Sequence, residues 1–329
     1  MRTEKTVSIA LVAATQTAAT LSPKTIGSMG TLARSPAESM MAFRRLAISK
    51  YTPTPLSERM YESRSFAILF MVLVGLVPLG LIAGFSGPMD LQSVKIFTFL
   101  PEVWIHNFGV ALAVVFFGAM IFGLARMYTM ISKGIPKQQE GTSQGSGWSK
   151  ELVTTVFKES LAQDRMAKCD SSTVTWKDRL KGRWFAHMAM MWGFLGLLAS
   201  TMLRYIAFPT NGQTMPIYDP IRLLGTISGL LLVYGASSVI VSRMRKADTS
   251  TEHTHFTDWI FLVLLLLAGL TGFLLEGAGY ASDPTLVYSA LVVHMVVVFE
   301  LLLMAPLSKF AHAFYRPFAI WISRTRHYI

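Results

Sequence analysis

The chain has 329 residues, of which 52% are hydrophobic and only 15% charged, and its mean hydropathy is +0.45. Soluble domains carry about 25% charged residues, so the composition excludes an ordinary soluble enzyme and indicates an integral membrane protein. The net charge of +11 would suit nucleic-acid binding, but its distribution along the chain excludes that reading.

Residues 1–62 are rich in Ser, Thr, Ala and Met and poor in acids. They resemble a transit peptide in composition, although "SIALVAATQTAATL" is too polar for a signal-peptide core. The expectation is a basic, poorly ordered tail; a short interfacial helix over "SMMAFRRLAISKY" is the alternative. Residues 63–329 form the second unit. It contains six apolar runs of the length a bilayer requires, about 20 residues: Phe66–Phe85, Trp104–Met127, Trp184–Phe208, Leu223–Val241, Trp259–Leu275 and Leu286–Leu307. The fifth is short and is expected to extend at both ends. The fold class is therefore all-α, a bundle of about six transmembrane helices.

Between the second and third runs lies loop 128–183. It opens on the flexible linker "KQQEGTSQGSG". It continues as "WSKELVTTVFKESLAQDRMAKC", where Leu152, Val156, Leu161 and Met166 predict an amphipathic helix. Of 30 Lys and Arg, 9 precede the first run, 10 lie in this loop, 3 follow the fourth run and 4 the sixth. That is the positive-inside pattern. It places both termini and loop 128–183 in the cytoplasm, the bundle in the cell membrane, and the basic charge on topology. Cys169 is the single cysteine, which rules out an intrachain disulfide or a four-thiolate iron–sulfur cluster.

The histidines carry the chemistry. His294 and His312 are 18 residues apart, five helical turns, so on one continuous helix they share a face about 27 Å apart. That is close to the ~30 Å hydrocarbon thickness. Two stacked b-type haems, one per leaflet, fit this spacing, with at least the inner one expected. Bis-imidazole haem suits electron transfer rather than O2 binding, and the lack of a C-x-x-C-H motif makes it non-covalent. His187 begins the third run at the level of His312 and is its expected partner. For the outer haem His294 is one ligand; the second is His106, with Met202 as the alternative. Gly193 and Gly196 either leave room for a macrocycle or pack helices. Glu300, deep in the sixth run, is a proton-relay or quinol-site candidate, or a structural hydrogen-bonding group. Arg204 and Tyr205 either anchor at the interface or contact a quinone headgroup. His253 and His255 are expected to be solvated loop residues, and His327 to be inert.

The segments "FAHMAMMWGFLGLLAST", "DWIFLVLLLLAGLTGFLLE" and "VVHMVVVFELLLMAPLSKFAHAFYRPFA", with "DRMAKCDSS" ahead of the third run, resemble the nitrate reductase gamma-subunit-like cytochromes b. Within that family the likeness is to the membrane-embedded cytochrome parts of the quinone-interacting membrane-bound oxidoreductase and of heterodisulfide reductase, over roughly residues 90–322. It implies a di-haem cytochrome b passing electrons between membrane quinone and a cytoplasmic iron–sulfur or flavin partner. The family's ligands fall on His187, His294 and His312. Its fourth would fall at Leu197, a departure that leaves the outer ligand open. The cysteine-rich ferredoxin domain carried by the cytochrome of the quinone-interacting oxidoreductase has no counterpart in this sequence, so a separate polypeptide is expected to supply it.

The expected function is thus a membrane-anchor b-type cytochrome subunit. Its partners are the bilayer, membrane quinone, and a soluble iron–sulfur or flavin protein docking on the basic face, with no nucleic acid. The alternatives are a proton-relaying transporter-like protein without haem, which interrupted spans would favour, and a haem-less structural anchor.

Overall fold

The computed structural model describes residues 48–52, 56–134, 147–164, 167, 180, 182–206, 216, 218–246 and 255–325. Among these every regular element is helical and no strand occurs. Six helices are long and apolar enough to cross a bilayer: Arg64–Phe85, Glu102–Gly134, Arg183–Ile206, Pro220–Met244, Phe256–Ala281 and Pro284–Met304. They are called the first to sixth spans below. The expected all-α bundle of six spans is the architecture observed. In hydrocarbon a helix satisfies its own backbone groups, and side chains such as Leu69, Val72, Val114 and Ile121 stand exposed on the outer surface where lipid would lie.

The helix starts are written in the sequence. Ser63, Asp219 and Asp283 each accept a backbone N–H of the first turn, and Pro220 and Pro284 take the first position after their aspartates. The fifth span runs for 26 residues, longer at both ends than its apolar run, with the His255 ring accepting the Thr257 N–H at its start. Ser282 then turns the chain in the left-handed conformation, φ 53°, so the sixth span begins at once beside the fifth.

Consecutive spans from the third to the sixth pack side by side, and the sixth also packs on the first and second. The third and fourth approach most closely. A Cβ at Gly193 would lie 2.5 Å from the Leu232 nitrogen, and one at Gly235 would lie 2.5 Å from the Ala186 carbonyl oxygen. Gly196 faces Ser228 in the same seam. These glycines pack helices, which decides between the two roles open to Gly193 and Gly196.

At one end of the bundle, called basal here, several shorter elements gather. Residues 48–51 and Leu56–Glu62 are helical, with Ile48, Met60 and Tyr61 buried and Tyr51 edge-on to Tyr315 at 5.9 Å. They belong to the stretch expected as a tail; residues 1–47 lie outside the described residues. The expected amphipathic helix is α-helical over Trp148–Thr154 and π-helical over Thr155–Leu161. It rests on the last helix, His312–Thr325, where the Trp321 indole donates to the Trp148 carbonyl. Met166 and Cys169 lie outside the described residues.

One expectation is corrected. His294 and His312 do not share a continuous helix. The sixth span ends at Met304 and is followed by the 3-10 turns Ala305–Leu307 and Lys309–Ala311, with Ser308 extended between them. Pro306 lacks an N–H and its ring crowds the carbonyl four residues back, which favours a break; the helices around Pro78 and Pro317 continue, and here the extended Ser308 completes the interruption. Helix resumes at His312.

Candidate functional site

The break brings His312 to the basal start of the third span. The His187 and His312 imidazoles have centroids 6.2 Å apart and planes inclined at 71°. Two metal–imidazole bonds of about 2 Å each, plus the half-width of each ring, come to about 6 Å. The pair is therefore spaced as two axial ligands of one metal would be. The His312 Nδ1–H donates to the Lys309 carbonyl. A carbonyl can only accept, so the proton sits on Nδ1 and the lone pair on Nε2, the arrangement of a metal-binding imidazole. Phe310, between Lys309 and His312, packs on Phe194 at 5.5 Å and on Phe261 at 5.3 Å. This aromatic group lowers the local dielectric beside the pair.

Halfway through the bundle, His294 faces the fifth span. Its Nδ1 lies 2.9 Å from Thr271 Oγ1, and Thr271 donates its own hydrogen to the Leu267 carbonyl at 2.7 Å. The hydroxyl is thereby committed as an acceptor towards His294, which again places the imidazole proton on Nδ1. Gly272 makes the approach feasible, because a Cβ there would lie 3.3 Å from His294 Cε1. His106 has different neighbours: its Nε2 is 3.2 Å from Glu102 Oε1, and its ring is 4.2 Å from that of Tyr205. No ring contact joins His106 to His294 among the described residues. Met202 is 41% exposed on the third span. Glu300 is half-buried, its Oε2 3.7 Å from where a Cβ on Gly75 of the first span would stand.

Opposite the basal end is an open cleft of about 1600 Å³ between the second, third, fourth and fifth spans, walled by His106, Arg204, Tyr205, Arg222, Glu276 and Tyr280. Arg204 pairs with Asp219. Arg222 donates to Glu276 at 3.2 Å and lies over the Tyr280 ring at 4.7 Å. The Asp219 carboxyl is held below the usual carboxylate range, first by the Arg222 N–H and also by Arg204. The cleft is open and the residues that wall it are largely polar and charged.

Among the described residues no group of three or more His, Cys, Asp or Glu is arranged to hold a metal ion; a haem asks the protein for only two axial ligands. Sequence reasoning missed Thr271 and Asp258. Thr271 was detectable as a hydroxyl inside the apolar "LLLLAGLTGFLL". Asp258, in the first turn of the fifth span, reads as an ordinary helix-dipole acid, yet it is 1% exposed. His255 caps that span and packs on Tyr61 at 5.7 Å. His253 and His327 lie outside the described residues.

No protein-family model matches the chain, and no solved structure matches it. The chain is similar to citrate utilization protein B of Escherichia coli, at 31% identity over 134 residues covering 40% of this chain. The match spans about a third of that relative's length, 34%.

Proposed function

We propose that this chain is a membrane-anchor b-type cytochrome subunit that carries electrons between membrane quinone and a soluble iron–sulfur or flavin oxidoreductase. One observation carries the reading: His187 and His312 come from distant parts of the chain and stand 6.2 Å apart. His187 and His312 would hold one haem, which when bound would supply one-electron transfer. His294, with its proton fixed by Thr271, is a candidate ligand for a second haem; His106 and Met202 are the candidates for its partner. Arg204 and Tyr205 line the cleft that would take the quinone headgroup. Glu300, half-buried in the basal half of the sixth span and outside the lining of that cleft, is a candidate proton-relay group.

The basic face supports docking of a soluble partner, and the positive-inside distribution supports cytoplasmic termini in the cell membrane. Lys177, Arg179 and Lys181 of that face lie outside the described residues, while Arg245 and Lys246 are exposed at the basal end. The name of the Escherichia coli relative refers to citrate use. A soluble partner acting on a small carboxylic acid is the version of the reading that this similarity favours. Each span is one continuous helix, which lends no support to the transporter alternative.

The test is a reduced-minus-oxidised optical spectrum of the purified protein with pyridine haemochrome quantification. Haem b that extracts into acidified acetone is expected. His187→Ala and His312→Ala should each remove the same low-spin EPR signal. Protein that purifies folded without haem, or two substitutions that remove different signals, would overturn the assignment.

A further inference from the structure

At the basal end a cluster of three charges lies almost out of water, beside the break in the last part of the chain. Asp258 is 1% exposed. Its Oδ2 stands 3.5 Å from Lys309 Nζ and 4.0 Å from Arg243 Nη1, and these two side chains are only 13% and 11% exposed. Charges removed from water persist only when paired with opposite charge. Here the three partners come from three separate elements. Arg243 ends the fourth span, Asp258 opens the fifth, and Lys309 belongs to the 3-10 turn ahead of His312.

Lys309 has two roles at once. Its side chain reaches Asp258, and its main-chain carbonyl accepts the His312 Nδ1–H. Two further polar bonds of the turn are local: Ser308 Oγ donates to the Ala305 carbonyl at 3.0 Å and accepts the Phe310 N–H at 3.3 Å. They shape the turn without tying it to the bundle. A bond from the Thr52 hydroxyl to the Pro306 carbonyl, at 3.5 Å, ties it weakly to the segment before the first span.

We infer that Asp258 is a positioning residue for His312. By clamping Lys309 and Arg243 it fixes the turn whose carbonyl orients the His312 ring and sets its tautomer. The orientation follows from the contacts above; its consequence for a bound haem rests on the proposed function. The rival is that packing of Phe310 alone holds the turn.

The experiment compares wild type with Asp258→Asn, Asp258→Glu and Lys309→Met. Lys309→Met keeps the carbonyl and the stem but removes the charge. Deuterium exchange at the imidazole carbon of His312, read by mass spectrometry at fixed pH, is measured with His294 as internal reference. This readout works on protein with or without haem. Exchange at His312 several-fold faster in Asp258→Asn and Lys309→Met, with His294 unchanged and Asp258→Glu closer to wild type, is the expected result. In haem-loaded protein the low-spin signal that depends on His187 should shift, and the one that depends on His294 should not. Unchanged His312 exchange in both variants, or equal change at both histidines, would overturn the inference. If Asp258→Asn does not fold, Lys309→Met decides. Absence of haem from wild type would count against the proposed function only, because His312 exchange still reads the clamp.

Discussion

Thr271 and His294 meet through one hydrogen bond, 2.9 Å from Oγ1 to Nδ1, across the fifth and sixth spans. Residues that orient metal-binding histidines from behind alter metal affinity by about 10–100-fold when removed. Thr271→Val keeps the shape and deletes the acceptor. On the proposed function, a haem held through His294 should become looser by that order, while one held through His187 and His312 would keep its affinity. Haem titration of the variant, followed optically, measures both; equal affinities to wild type would remove Thr271 from the site.

His106 separates two roles that one residue could fill. Its contacts with Glu102 and Tyr205 place it on the wall of the cleft. On the proposed function, and with His106 on the cleft wall and not a haem ligand, His106→Ala should raise the KM for a quinol several-fold and leave a His294-dependent EPR signal in place. Loss of that signal would instead make His106 the second ligand. Loss in Met202→Ala alone would assign the ligand to Met202.

The seam between the third and fourth spans should resist any side chain at its glycines. Gly193→Leu or Gly235→Leu places atoms where Leu232 and Ala186 backbone already stands, and overpacking costs about 1–3 kcal/mol or more. Thermal unfolding in detergent should fall accordingly. Gly80→Ala and Gly109→Ala, where a Cβ meets nothing within 4 Å, are the controls and should unfold like wild type.

Asp219 gives a pH signature. Its folded carboxyl lies below the ordinary value of 3.8 because of the Arg222 N–H and the Arg204 side chain. A depressed carboxylate stabilises the fold above its unfolded pKa and loses that contribution as pH falls through the folded one. The difference in unfolding temperature between wild type and Asp219→Asn should be constant from pH 7 to about pH 5, then shrink below pH 4. A difference that grows on acidification would contradict the role assigned to Asp219.

The spans were legible because lipid imposes a simple requirement, a long apolar run that bonds its own backbone. The aspartate–proline starts at Asp219 and Asp283 were legible for a similarly local reason. His187 and His312 could be paired by depth alone, since topology places both at one end. The path that brings them together was not legible. Periodicity counts turns as if Pro306 and Ser308 continued a helix, and the outcome depends on how Ser308 is held. Thr271 and Asp258 escaped because their meaning lies in partners 23 and 51 residues away, and no local pattern encodes those.

The interruption at Pro306 and Ser308 also acts as a clutch between the two halves of the last segment. Along an unbroken helix, adding one residue would swing everything beyond it by about 100°. The extended Ser308 has no helical phase to transmit, so the azimuth of His294 and that of His312 are set separately, the first by the fifth span and the second by the Lys309 turn. The 18-residue interval between the two histidines is then a length of chain and not a count of turns. Tilting the sixth span within the bilayer would move one histidine without obliging the other to follow.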